Sequence, residues 1–316
     1  MYYLTIAVFI CVQAIAVSGM SLLVGYTGLF SIGQAGFMAT GAYAAVVLYK
    51  YLGVPFLIAV ICGGLVSVIF SILLGYPALR NKLEGDAFGI VMLGFVTVVR
   101  VTISNINPVL GGAIGITGIP KKSSIWVVSI FTIVLVYFMR NFIKSDYGKN
   151  CKAIQQQEPA AEMVGVSPLK TKLLALMLSA FYAGVAGALF VFYSTFVSPL
   201  SFAEAKSNDL LAAVVLGGMC SLSGPILAAA ILVALPELLR FLQTWRLVIY
   251  GISFIFIMLF RPNGLLGYQE ISFKWVGAGY RWIKNKVQKK NKGGGPGGSQ
   301  TALSVENTVE GGEENF

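Results

Sequence analysis

Two stretches of this sequence place glycine, hydroxyl and amide groups inside apolar surroundings, and a polar solute could be met at either. The first is GYTGLFSIGQAGFMATGAY, residues 25–43; the second is LGGMCSLSGP, residues 216–225. Glycines at this density break a helix, and irregular backbone at membrane depth is tolerated only where protein or a water-filled cavity satisfies it. Gly28, Ser31, Gly33 and Gln34 in the first stretch, with Gly217, Gly218 and Ser221 in the second, are therefore candidates for a translocation path or a helix break. A structural reading fits the same residues. Small side chains let helices approach closely, as Gly33, Phe37 and Gly41 would at four-residue spacing, or Ser179, Ala183 and Gly187. Both readings stay open at this point.

Covalent chemistry finds no footing. The chain has no histidine, so a serine nucleophile would lack its usual base, and no pair of intramembrane aspartates is present. Gly148-Lys149-Asn150 lacks both the upstream glycine and the hydroxyl residue of a phosphate-binding loop, so the chain is not expected to hydrolyse ATP. Cys11, Cys62, Cys151 and Cys220 are widely separated single residues, which fits buried small side chains and neither a metal site nor a disulfide framework. An enzyme is not expected, and no metal site.

The elements that must hold the two stretches are membrane spans. Of 316 residues 57% are hydrophobic and only 11% charged, where soluble domains carry roughly 25% charged residues. Apolar runs near 2–24, 31–49, 55–76, 86–102, 125–139, 171–193, 208–223, 224–240 and 246–260 predict an all-α polytopic membrane protein with about nine segments, some broken or re-entrant. The first run is too long for the apolar core of a signal peptide and is read as a span. Broken spans toward both ends of the chain fit a transporter built from two related halves.

Basic residues set the expected orientation. With the C-terminus inside, sixteen Lys and Arg fall on inner segments and six on outer ones, Lys206 among the six. The excess predicts an outside N-terminus and a cytoplasmic C-terminus, and the net charge of +10 is read as topology rather than nucleic-acid binding. Residues 1–267 form the transmembrane domain, 268–292 a basic juxtamembrane run beside the lipid bilayer, and 293–316 a Gly-rich acidic tail expected to be disordered. Arg100 and Glu237 are placed at span ends, and Asp209 in the first turn of a helix capped by Ser207 or Asn208. No chain of Asp, Glu or His crosses the bilayer, which weighs against proton coupling but leaves sodium coupling open.

The long polar segment 140–172 holds a short helix with its own punctuation. In Glu158-Pro159-Ala160-Ala161-Glu162-Met163-Val164-Gly165 the proline suits a first helical position, the glutamates suit the first turn, and Gly165 suits a left-handed exit. So short a polar helix is marginal alone, so its packing partner is expected on another protein at the cytoplasmic surface.

Taken in order, GYTGLFSIGQAGFMATGAY, PALRNKLEGDAFGIVMLGFVTVVR, GGAIGITGIP, KAIQQQEPAAEMVG with SPLKTKLLALMLSAFYAGVAGAL, VVLGGMCSLSGPILAAAILVALPELLR and LFRPNGLLG resemble the permease subunits of ABC importers for branched-chain amino acids, of the LivM type. The likeness covers residues 17–267. It implies a permease in the bacterial cytoplasmic membrane, paired with a second homologous permease, two cytoplasmic ATPases and an extracytoplasmic solute-binding protein. ATP and Mg would be used by the ATPases, and no cofactor by this chain. Residue by residue, Glu158, Ala160, Ala161, Glu162 and Gly165 match the loop that such permeases insert into the ATPase. Gln155-Gln156-Gln157 and Pro159 stand where the family commonly has charged residues, which implies a less charged contact. The substrate implied is leucine, isoleucine or valine; urea or a short amide, or an ion-coupled carrier, are the rival readings.

Overall fold

The structure, a computed structural model, describes residues 2–83, 85–106, 110–219, 221–238 and 251. The span expected at 246–260, the basic run and the acidic tail lie outside the described residues. Among the described residues ten α-helices follow one another: α1 (Tyr2–Met20), extended by a π-helical turn (Ser21–Tyr26), α2 (Gln34–Leu52), α3 (Phe56–Arg80), α4 (Gly85–Asn105), α5 (Ile125–Lys144), α6 (Asp146–Gln156), α7 (Glu158–Met163), α8 (Pro168–Ser194), α9 (Glu204–Gly217) and α10 (Ser223–Leu238). Among the described residues the only strand-like pairing is an isolated antiparallel bridge between Ile116 and Val197.

Among the described residues five helices are long and apolar enough to cross a bilayer: α1 with its π turn, α3, α4, α5 and α8. Helix α2 is not among them, although it is central. It begins with Gln34 and is rich in Gly, Ala and Tyr, because its neighbours are other helices and not lipid. Apart from Tyr51 and Leu52 at its last turn, the large exposed apolar side chains sit elsewhere, as with Ile69 and Leu73 on α3 and Ile133 and Tyr137 on α5. Helix α5 runs on to Lys144, past the expected end at 139, since Arg140 and Lys144 extend its last turn beyond the apolar stretch.

Helices α2, α3 and α8 meet through small residues. A Cβ on Gly41 would lie 2.5 Å from the carbonyl oxygen of Gly184, one on Gly63 2.5 Å from that of Gly41, and one on Gly184 3.0 Å from Cα of Gly64. Real side chains do not approach that closely, so glycine is what lets three backbones touch. The Ser67 hydroxyl bridges the same crossing, donating to the Phe37 carbonyl at 2.8 Å and lying 3.1 Å from the Thr40 hydroxyl. Backbone contact at this separation gains dispersion energy that lipid cannot supply.

These contacts also fix depth. Gln34, the first residue of α2, bonds Ser179 near the middle of α8, so α2 starts at mid-depth and the chain between Tyr26 and Gln34 climbs there without helix. After α8 the chain turns at Thr195 (φ 60°), is tied by the Ile116–Val197 bridge, and re-enters the bundle. Phe202 is fully buried against Phe190 there, and α9 begins within the bundle.

The glycine crossing generates a test. Gly41→Leu should destabilise the detergent-solubilised protein by several °C or prevent its folding, since overpacking costs about 1–3 kcal/mol or more. Gly94→Ala, on α4 where an added Cβ meets nothing within 4 Å, should be neutral or gain up to about 1 kcal/mol. Thermal-shift size exclusion of both variants checks the contrast.

Candidate functional site

The two glycine-rich stretches come together. The Ser21 hydroxyl on the π turn donates to the Ser221 carbonyl at 3.3 Å, and a Cβ on Gly25 would collide with the Met219 backbone. One stretch therefore closes over the other. Ser31, Gly33, Gln34, Gly217, Gly218 and Ser221 are all buried, whereas Gly28 is exposed beside Gln155 of α6. Gly33 faces Met92, and Gly217 sits against Gly224 and Pro225, so both positions are filled by neighbouring chain.

The N-termini of α2 and α9 meet as well. The backbone N–H of Ala35, an orphan donor in the first turn of α2, donates to the Ser207 hydroxyl of α9 at 2.9 Å. Ser207 was expected to cap its own helix; instead α9 starts three residues earlier, at Glu204, and Ser207 caps the other broken helix. Asp209 accordingly lies in the second turn. The Gln34 side chain donates to Ser179 at 2.6 Å, and its buried Oε1 has no hydrogen-bond partner among the described residues.

Charges enter the same region. Lys206, counted above with an outer loop, donates to Gln13 of α1 at 2.8 Å. Arg100, read above as a span end, lies inside α4 and pairs with Glu204 at 3.3 Å, while Thr97 donates to the other Glu204 oxygen at 3.1 Å. Pattern reading missed this cluster because Glu204 and Lys206 look like loop residues until the re-entry is seen.

The polar segment folds into two helices rather than one. The unforeseen α6 buries Gly148, Cys151 and Ile154, whose three-residue spacing was the signal available in the sequence. Asp146 opens it, and its hydrogen bond and attraction to Lys149 hold its carboxyl below the ordinary value. Burial pushes the Cys151 thiol up to about 11. Lys152 lies over the Tyr26 ring at 5.1 Å, so α6 rests on the end of the π turn.

Helix α7 spans Glu158–Met163 with Pro159 in its first turn. Gly165 has φ 89°, which a side chain would resist, and the Val166 N–H returns to the Ala161 carbonyl to close the helix end. Ala161 is buried, while Ala160, Glu162 and Gly165 are exposed. Glu158 pairs with Lys172 of α8 at 2.6 Å, their side chains 28% and 9% exposed, so the helix is pinned to the base of a span. Its tip is not covered: Met163 is 90% exposed and Val164 85%. A cleft of about 450 Å³ separates α7 from the end of α3, with Arg80, Lys82 and Glu162 on its walls.

A multi-pass helical membrane protein with two interrupted spans and a pinned, exposed short helix is the architecture of a permease. The chain belongs to the family described as the branched-chain amino acid transport system permease component, whose profile matches residues 2–258. It is 36% identical to the "High-affinity branched-chain amino acid transport system permease protein LivM" of Salmonella typhimurium and 35% identical to the protein of that name in Escherichia coli, in each case over 78% of this chain and 66% of the relative. The chain thus spans just under two thirds of the length of those two. The "Probable branched-chain amino acid transport permease protein LivH" of Methanocaldococcus jannaschii is 22% identical over 79% of this chain and 86% of its own. No solved structure matches.

Two outcomes check the pinned segment. Lys172→Met should strand the Glu158 carboxylate and loosen residues 158–165 by about 1–3 kcal/mol, read as faster amide exchange and proteolysis there. Cys151 should resist maleimide at neutral pH in the folded protein, because its thiol is both buried and protonated, and react once the chain is unfolded.

Proposed function

We propose that this chain is a membrane-spanning subunit of an ATP-binding-cassette importer that carries branched-chain amino acids across the bacterial cytoplasmic membrane. The observation that carries the coupling half of this reading is the α7 tip. Met163 and Val164 present apolar surface at the end of a six-residue helix that is itself tied to α8 through Glu158 and Lys172. Such a tip gains stability when a partner covers it, and a cytoplasmic ATPase is the partner that has energy to deliver. Glu158, Ala160, Ala161, Glu162 and Gly165 form this coupling element, two ATPases drive it using ATP and Mg, and a second permease and an extracytoplasmic binding protein complete the assembly. The choice of leucine, isoleucine and valine is supported by the names of the relatives.

In mechanical terms, movement of the ATPase displaces α7. The Glu158–Lys172 pair passes the displacement to α8, and α6 passes it to the π turn through Tyr26 and to Gly28 through Gln155. Coupling then requires that the two gate states differ in free energy of contact with the ATPase. The N-terminus faces out and the C-terminus faces the cytoplasm on this reading, which puts α6 and α7 inside.

Replacing Glu158–Glu162 by Gly and Ser should leave insertion intact and abolish ATP-dependent uptake of leucine by vesicles containing the permeases, the ATPases and the binding protein. Normal uptake by that variant would refute the coupling role. Preferential uptake of urea by the wild-type assembly would refute the substrate.

A further inference from the structure

Helix α9 presents to its surroundings a face that lipid would reject. Asn208 and Asp209 are exposed, and Glu204 and Arg100 are 32% and 29% exposed at their side chains. Their depth follows from the fold. Ser207 meets Ala35 at the start of α2, and α2 starts level with the middle of α8. Glu204 is therefore within about one helical turn of mid-depth. On α4 the same level is marked by Phe95 and Val96, which a Cβ on Gly36 would touch, so Thr97 lies at that level and Arg100 about one turn away. Charged groups at this depth face a bundle interior or a water-filled cavity, not hydrocarbon.

Resting on the import reading above, we propose that the α4–α9 face is a wall of the solute path, and that Arg100 and Glu204 receive the two charged ends of a zwitterion. Their present contact suits exchange. It is a single 3.3 Å approach through one guanidinium nitrogen and one carboxylate oxygen, and both groups are reachable from outside the chain. An incoming carboxylate can accept from the guanidinium fork, and an ammonium can donate to Glu204, whose other oxygen is held by Thr97. Each protein charge changes partner and none is stranded. A lone anion or a lone cation would leave one of the pair uncompensated at membrane depth, which is the costly outcome. The surroundings keep the same balance, since Lys206 and Asp209 add one charge of each sign to the first turns of α9.

The experiment uses the full assembly of permeases, ATPases and binding protein in vesicles, with the four native cysteines replaced and single cysteines introduced. Asn208→Cys and Thr97→Cys should react with a charged, membrane-impermeant methanethiosulfonate, and saturating leucine should slow the reaction; Ile133→Cys on lipid-facing α5 should not react. Glu204→Gln should raise KM for leucine about tenfold with a much smaller change in kcat, the loss expected for one charge-assisted hydrogen bond. Glu204→Asp should recover part of it. If neither introduced cysteine on the α4–α9 face reacts, the face is buried against a neighbouring subunit and the assignment falls. If they react but leucine gives no protection and Glu204→Gln keeps the wild-type KM, the zwitterion contact falls. If the wild-type assembly moves no leucine with ATP, yet its Asn208→Cys variant reacts, the import reading is overturned and the path stays where it is placed here.

Discussion

A backbone N–H inside a bilayer has no water to bond, and this constraint shapes more of the molecule than any side chain does. Two spans are interrupted, and each interruption leaves peptide groups that must find partners within the protein. They find them in each other. Ala35 N–H on the first broken element reaches Ser207 on the second, and Ser21 on the first reaches the Ser221 carbonyl on the second. Others are met locally, as where the Leu29 N–H donates to the Leu23 carbonyl and the Gly218 N–H to the Val214 carbonyl. Once both are present, the chain must re-enter after α8 to bring α9 to the start of α2, and the rest of the bundle is arranged around that meeting.

The glycine crossing of α2, α3 and α8 serves the same end. Lipid tails are as apolar as leucine side chains, so burial gives helices little reason to associate, and close backbone packing must supply it. That is why α2, rich in Gly, Ala and Tyr, lies at the centre.

Much of this was legible before the structure. The short helix at Glu158–Met163 announced itself through Pro159 and Gly165, because rigid and left-handed positions are local properties of single residues. The apolar runs at 2–24, 55–76, 86–102, 125–139 and 171–193 fell on the five long apolar helices, with α5 expected shorter than observed. Other features were hidden because they are not local. The run at 31–49 looked like a full span, yet its first residues climb through the bundle as irregular chain and only from Gln34 is it helical. Lys206 was counted with a loop because charge counting assumes that every polar stretch lies outside the membrane, and re-entry breaks the assumption. Helix α6 escaped notice because its buried stripe of Gly148, Cys151 and Ile154 is small among eleven largely polar residues.

Helix α8 is continuous from Pro168 to Ser194, with neither kink-forming proline in its interior nor a break. At about 1.5 Å per residue it is a rod roughly 40 Å long, anchored near its foot by Lys172 and gripped halfway up by Gly41, Gly64 and Ser67. A stiff member held at its midpoint behaves as a seesaw. A sideways nudge of an ångström or so at the foot would be answered by an opposite excursion of similar size at Thr195, where the chain dives back toward α9. On the import reading proposed above, substrate release on one side and closure on the other would then be a single rigid motion rather than two events that must be timed.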